Sequence, residues 1–296
     1  MDELGIGGLD QISELPDHLL HHILSFMPTK DVVQTKLLSR TWRRVCSSYP
    51  NFEFNLHNYS QRLEQRGRYT KSFDNTMQRF HRDETGMQKL TIFASIQGAP
   101  ELVPVVDRWI EISLEKQVQE LDIRIYKYDL PPAIFASKSL HTLCLMGITM
   151  PPIFTTNTRF FSLRKLSICG VSLKEQILQD LIFKFPFIEN LALLGGINPI
   201  LVKKIRVSGL CNLKELTIFG WRVLEEVDID APSLKFFHYG GYILQQNNIK
   251  IKMGATNNVE TLSITYDTTM TEQQFYDLIS KFPLLKCLHV CMWNDV

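Results

Sequence analysis

The sequence predicts an α/β chain, with an N-terminal module of three short helices followed by a curved solenoid whose parallel strands line its concave side. Two patterns carry that prediction. Between residues 15 and 46 apolar side chains recur at helical spacing, and from residue 87 onward the motif Leu-x-x-Leu-x-Ile or a close variant returns nine times. The solenoid follows from the second pattern, because a short strand that cannot bury its apolar face alone can bury it by stacking on copies of itself.

In the first module, Leu15, Leu19, Ile23 and Met27, flanked by Leu20 and Leu24, form one broad apolar helix face. Pro16 suits a first helical turn, Asp17 complements the helix dipole there, and Pro28 stops the helix. Thr29 then fits as the N-cap of a second helix with Val32 and Val33 buried, and Ser39 to Cys46 forms a third segment with Trp42 among Arg40, Arg43 and Arg44. About 35 residues are too few for a self-sufficient core, so this surface needs a neighbour or a partner. Leu20 and Val45 are expected to pack back toward the following domain. His21 and His22, about 100° apart on a helix, cannot chelate together and are expected in solvent.

The same residues carry a resemblance. Leu15-Pro16, the Leu-x-x-x-Ile-Leu run ending at Leu24, Pro28-x-x-Asp31-Val32-Val33 and Leu37-Leu38-Ser39-x-x-Trp42-Arg43 resemble an F-box in order and spacing over residues 9–50. The resemblance implies binding to the Skp-type adaptor of an SCF cullin–RING ubiquitin ligase. Leu15 and Pro16 would begin that contact, Leu19, Ile23 and Leu24 would give its apolar body, and Leu38, Ser39 and Trp42 would close it.

Residues 51–86 read as a connector that covers the first edge of the solenoid. Phe52 to Leu56 alternates like a strand, and a polar, basic stretch follows with Phe73, Met77 and Phe80 at helical spacing. A solvated helix explains that stretch better than an anion-binding patch. The repeats of residues 87–296 begin at Met87, Val118, Leu140, Leu163, Ile188, Leu213, Leu234, Val259 and Leu285, with steps of 21 to 26 residues after an initial step of 31. That period is the period of leucine-rich repeats. The long first step predicts an extra helix over Val103 to Leu114. Among the returns, Leu173, Ile177, Leu178, Leu181 and Ile182 form a helical stripe, and Thr271 to Gln274 forms a capping box. Pro131-Pro132 and Pro151-Pro152 predict extended chain or turns. The order of F-box, polar connector and irregular repeats resembles the large plant family of F-box proteins with leucine-rich repeats, often followed by an FBD domain. The sequence reaches Val296 directly after a repeat strand, so a full FBD domain is expected to be absent or truncated and the last strand partly exposed.

Within each repeat the residue after the Ile points outward. That row reads Arg124, Met146, Cys169, Leu194, Phe219, Gly240, Thr265 and Cys291, and four consecutive members make an apolar strip. A binding surface for an unknown protein target and a face covered by the same domain both remain open for it.

The net charge of +1 gives no global field that points to nucleic acid, and no apolar run reaches the ~20 residues of a membrane span. No signal-peptide pattern is present, so the expected location is nucleus and/or cytoplasm, with the six cysteines as thiols. Cys287, His289 and Cys291 share a strand face but lack a fourth ligand, so no metal or cofactor is expected. Without Gly-x-Ser-x-Gly, His-Glu-x-x-His or a phosphate loop, the chain is not expected to be an enzyme. The resemblance implies the substrate-recognition subunit of the ligase, reaching cullin through the adaptor. A non-degradative interaction scaffold is the alternative.

Overall fold

The computed structural model describes residues 11–27, 29–56, 63–82, 86–96, 99–149, 160–170, 175–196, 202–240, 249–255, 257–266 and 271–292. Its first module consists of α1 (Asp17–Ser25), α2 (Thr29–Gln34) and α3 (Arg40–Ser47), with a turn of 3-10 helix at Thr35–Leu37. Ser39 caps α3 by accepting the Trp42 N–H at 3.2 Å, and Asp17 at the start of α1 pairs with Arg44 of α3 at 2.8 Å. Leu20, Leu24, Val32, Trp42 and Val45 bury one another in a core of the module's own. The expectation that Leu20 and Val45 pack back onto the solenoid is therefore corrected, because both sides of α1 and α3 that meet inside the module need them there. His21 is also not simply solvated. Its Nε2 lies 3.1 Å from Val45 O and 3.1 Å from Ser48 Oγ, tying α1 to the end of α3.

The solenoid is built on one sheet of ten parallel strands. They are β1 (Asn51–Asn55), β2 (Lys89–Ala94), β3 (Glu120–Ile125), β4 (Thr142–Met146), β5 (Lys165–Cys169), β6 (Asn190–Leu194), β8 (Glu215–Phe219), β10 (Phe236–Gly240), β12 (Thr261–Tyr266) and β13 (Cys287–Met292). Each of the nine motif strands is present, and β1 adds a tenth from the stretch read as a connector. The sheet thus begins at residue 51, where Phe52 pairs with Leu90 and Phe54 with Ile92. Register is unbroken, with Leu90↔Leu121↔Leu143↔Leu166↔Leu191↔Leu216↔Phe237↔Leu262↔Leu288 running across the sheet. These residues and the Ile row two positions on are buried from β2 through β12. At the outermost strand of the sheet, β13, Leu288 and Val290 are 37% and 43% exposed.

Three further strands escape the motif. β7 (Lys204–Ser208), β9 (Glu226–Asp230) and β11 (Lys250–Met253) lie in the returns and form a second parallel sheet. Ile205, Val207, Val227, Ile229 and Ile251 from these strands join the same core as the main sheet. Other returns are helical. α5 (Val103–Glu115) occupies the long first step, α6 (Glu175–Phe183) buries Leu178, Leu181 and Ile182, and α7 (Glu272–Ile279) starts with the capping box of Thr271 and Gln274. Leu173, the side chain of Ile177 and Pro151-Pro152 lie outside the described residues, while Pro131 leads into a 3-10 turn at Pro132–Ala136. α4 (Leu63–Arg82) lies along α5 and buries Phe73, Met77 and Phe80. Phe54, Phe73 and the fully buried Trp109 of α5 pack edge-on and tilted with ring centroids 4.5–5.1 Å apart, plugging the first end of the core. No helix among the described residues is long and apolar enough to cross a membrane.

Charged side chains stitch neighbouring repeats together outside this core. Glu226 holds Lys204 at 2.9 Å and Lys252 at 2.7 Å, bridging β7, β9 and β11. Glu260 holds Lys235 at 2.5 Å and Lys286 at 2.7 Å. The lysine hydrogen bonds pull both carboxyls down to about 2 from the usual 4.5. A depressed folded-state value means that their stabilising effect is complete above about pH 4.5 and lost as pH falls toward 2. Thermal melts across that window should show a steep fall in Tm for the wild type and a shallower one for the Glu226→Gln, Glu260→Gln double variant. Parallel curves for the two proteins would show that the bridges contribute nothing.

Candidate functional site

Two surfaces stand out, one on each part of the chain. On the first module, α1 turns Pro16, Leu19 and Ile23 to one side, and the 3-10 turn lifts Leu37 and Leu38 into solvent. Leu19 is exposed, Leu38 is 68% exposed, and Leu15 and Ile23 are half-buried against the module core. Two residues expected at this surface belong elsewhere. Leu24 and Trp42 are buried, because each lies on the side of its helix that meets the other helix, so their contribution is to the module's core. Ser39 spends its hydroxyl on capping α3. Conversely, Phe26 (76% exposed) and Leu37 (84% exposed) are the most open apolar side chains among the described residues of the module and were not in the expected set. Both had a signal. Phe26 continues the 16, 19, 23 stripe by three residues, and Leu37 is the first Leu of Leu-Leu-Ser. Exposed apolar side chains are what a partner's footprint would use if they form one contiguous patch.

The second surface is the outward row of the main sheet. Arg124, Met146, Cys169, Leu194 and Phe219 sit directly opposite one another on β3 to β8, so the five residues expected from the repeat spacing form one continuous line. Met146 is exposed and Cys169, Leu194 and Phe219 are half-buried. The row has a reason to stay open at its far end. A side chain at Gly240 would meet the Phe219 ring at 2.5 Å, so the glycine lets that ring lie across onto the next strand.

Charge is confined to one end of the row. Asp122 accepts both Arg124 hydrogen bonds, at 2.9 and 2.8 Å, and the pairing raises the guanidinium's pKa further. Burial pushes the Cys144 and Cys169 thiols up, so they stay protonated at neutral pH and are poor nucleophiles. Burial also holds the His238 imidazole below its usual pKa, beside Phe219 and 3.1 Å from Thr265 Oγ1. The middle of the face is therefore neutral and offers contact area with a few hydrogen-bonding groups. Cys287 Sγ lies 3.3 Å from His289 Nε2 on β13, and among the described residues no group of three or more His, Cys, Asp or Glu side chains is placed to hold a metal.

The division between core and surface in the first module can be measured directly. Leu24→Ala should lower stability by about 2–5 kcal/mol, whereas Leu37→Ala should change it by less than about 0.5 kcal/mol. Hydrogen–deuterium exchange of α1 and α3 at increasing urea, which separates the module from the solenoid, reads both.

Comparison with known proteins matches residues 12–54 to the F-box domain and residues 80–296 to a family described as At1g61320/AtMIF1, LRR domain. Three curated relatives come from Arabidopsis thaliana, and of these F-box/LRR-repeat protein 13 is 28% identical over 78% of this chain and 52% of its own length. Putative F-box/LRR-repeat protein At4g15060 is 32% identical over 79% and 56%, and putative F-box/FBD/LRR-repeat protein At5g22670 is 30% identical over 78% and 53%. The chain spans about half the length of the curated relatives it matches. With both modules matched in order, the chain belongs to the plant-type F-box/leucine-rich-repeat family.

Proposed function

We propose that the protein is the substrate-recognition subunit of an SCF-type cullin–RING ubiquitin ligase. F-box domains generally bind Skp-type adaptors, and proteins of this family are typically non-catalytic adaptors. The observation that carries the reading is the exposed set of Leu19, Phe26, Leu37 and Leu38 on a module that already has a core of its own. In this reading the set buries itself in the adaptor, Leu15, Pro16 and Ile23 extend it, and the adaptor reaches cullin. A helix face with a few aliphatic and aromatic anchors suits such a junction.

The repeats then select the target. The row from Met146 to Phe219 favours a protein segment with apolar anchors, and the ion-paired Arg124 borders it. Catalysis is left to the ligase partners, and the subunit acts by raising the target's local concentration near the ubiquitin-loaded enzyme. The complex would work in nucleus and/or cytoplasm. The second reading is a scaffold that keeps the adaptor contact without a ligase.

Affinity purification of the full chain from cells separates these readings. The wild type should recover Skp-type adaptor and cullin, and Leu37→Asp with Leu38→Asp should lose both. Leu194→Asp with Phe219→Asp should keep both and lose co-purified targets that accumulate when the proteasome is inhibited. Adaptor without cullin would favour the scaffold, and full recovery by the Leu37, Leu38 variant would refute the adaptor site.

A further inference from the structure

The concave row is not the only surface built to receive something. α4 carries Arg68, Lys71, Arg79 and Arg82 within an arc of about 80° of its outer face, from the 100° turn per residue, and none of the four forms a hydrogen bond or ion pair with a described residue. The other charges along the line where α4 meets α5 are largely neutralised. Asp74 accepts from Arg108 at 2.8 Å and from Trp109 Nε1 at 2.9 Å, and His81 meets Glu115 at 2.6 Å.

The Asp74–Arg108 bridge crosses this seam like a bar, with a cavity on each side. One, of about 410 Å³, has Lys71 at its lip and Leu102 and Val105 on its floor. The other, of about 280 Å³, has Arg82 at its lip and Ile112 on its floor. Their α4 residues are centred about eleven positions apart, or about 16 Å of helix, a distance that about five residues of extended chain cover.

Gly67 supplies an independent observation. It lies inside the 20-residue helix α4, where a glycine is unfavourable relative to alanine. Nothing lies within 4 Å of where its Cβ would be, so neither crowding nor backbone conformation calls for it. What the missing side chain does is leave the mouth of the first cavity open.

We propose that the α4–α5 seam binds an extended acidic segment of a partner protein, with two aliphatic side chains four to five residues apart that enter the two cavities. Lys71 and Arg82, at the two lips, take the carboxylates between the leucine-sized anchors, and Arg68 and Arg79 add positive charge farther out on the same helix. Glu101 and Glu111 rim the α5 side and keep the segment narrow, since they would repel a wide polyanion such as a nucleic-acid duplex. The proposal does not rest on the ligase reading, and the surface lies on other elements than the concave row.

The test uses the purified full chain and a fluorescein-labelled peptide of Asp and Glu carrying two leucines four positions apart, read by fluorescence anisotropy. Binding is expected, weakening with added salt. Lys71→Glu with Arg82→Glu should weaken it at least tenfold. Gly67→Leu should weaken it to a similar extent while raising Tm, a combination that loss of folding cannot produce. No binding of the peptide, unchanged affinity in Gly67→Leu, or equal affinity for a leucine-free peptide or a DNA duplex would overturn the proposal.

Discussion

Parallel strands with one apolar face cannot stand alone, and here that constraint is met by unbroken register. Two apolar rows, one of Leu and Phe237 and one of Ile, Leu and Tyr239, face their counterparts strand by strand from β2 to β12, so the core of each repeat is completed by its neighbours. A slip of one residue would turn the buried row outward and the outward row inward. The same register that buries Leu191 and Leu193 therefore fixes Leu194 between Cys169 and Phe219 on the open face. The buried core and the outward row are two sides of one constraint.

The first module obeys a different economy. Among the described residues five buried apolar side chains make a small core, and the hydrogen bonds of His21 and the Asp17–Arg44 pair add ties between α1 and α3. Such a core covers only one side of α1. What it leaves out, Leu19, Phe26 and the Leu37-Leu38 pair, is the surface we propose for the adaptor, and its exposure follows from the smallness of the module. Exposed surface ion pairs such as Lys203–Glu225 contribute little by comparison.

Much of this was legible in the sequence, for identifiable reasons. The motif strands could be placed because their apolar spacing is repeated, and repetition averages out local ambiguity. α5, the helix at α6 and the Thr271 capping box were readable from local patterns. The second sheet was not, although Lys204-Ile-Arg-Val and Glu226-Val-Asp-Ile alternate as strands do, because a search keyed to Leu-x-x-Leu-x-Ile passes over them. β1 was recognised as a strand but not as part of the sheet, since pairing across 38 residues leaves no local mark. In the first module, helical spacing gave the broad apolar face but could not divide it. Leu20 and Leu24 face inward and Leu19 and Phe26 outward for a reason that lies in α3, which no pattern within α1 records.

The central claim is that the chain is two functional halves with separate cores, one for the adaptor and one for the target. Hydrogen–deuterium exchange of the full chain, alone and with purified Skp-type adaptor, tests it most directly. The account predicts new protection confined to residues 15–47, with β4 to β8 exchanging as before. Protection on β4 to β8 caused by the adaptor, or none across α1 and the Leu37-Leu38 turn, would contradict it.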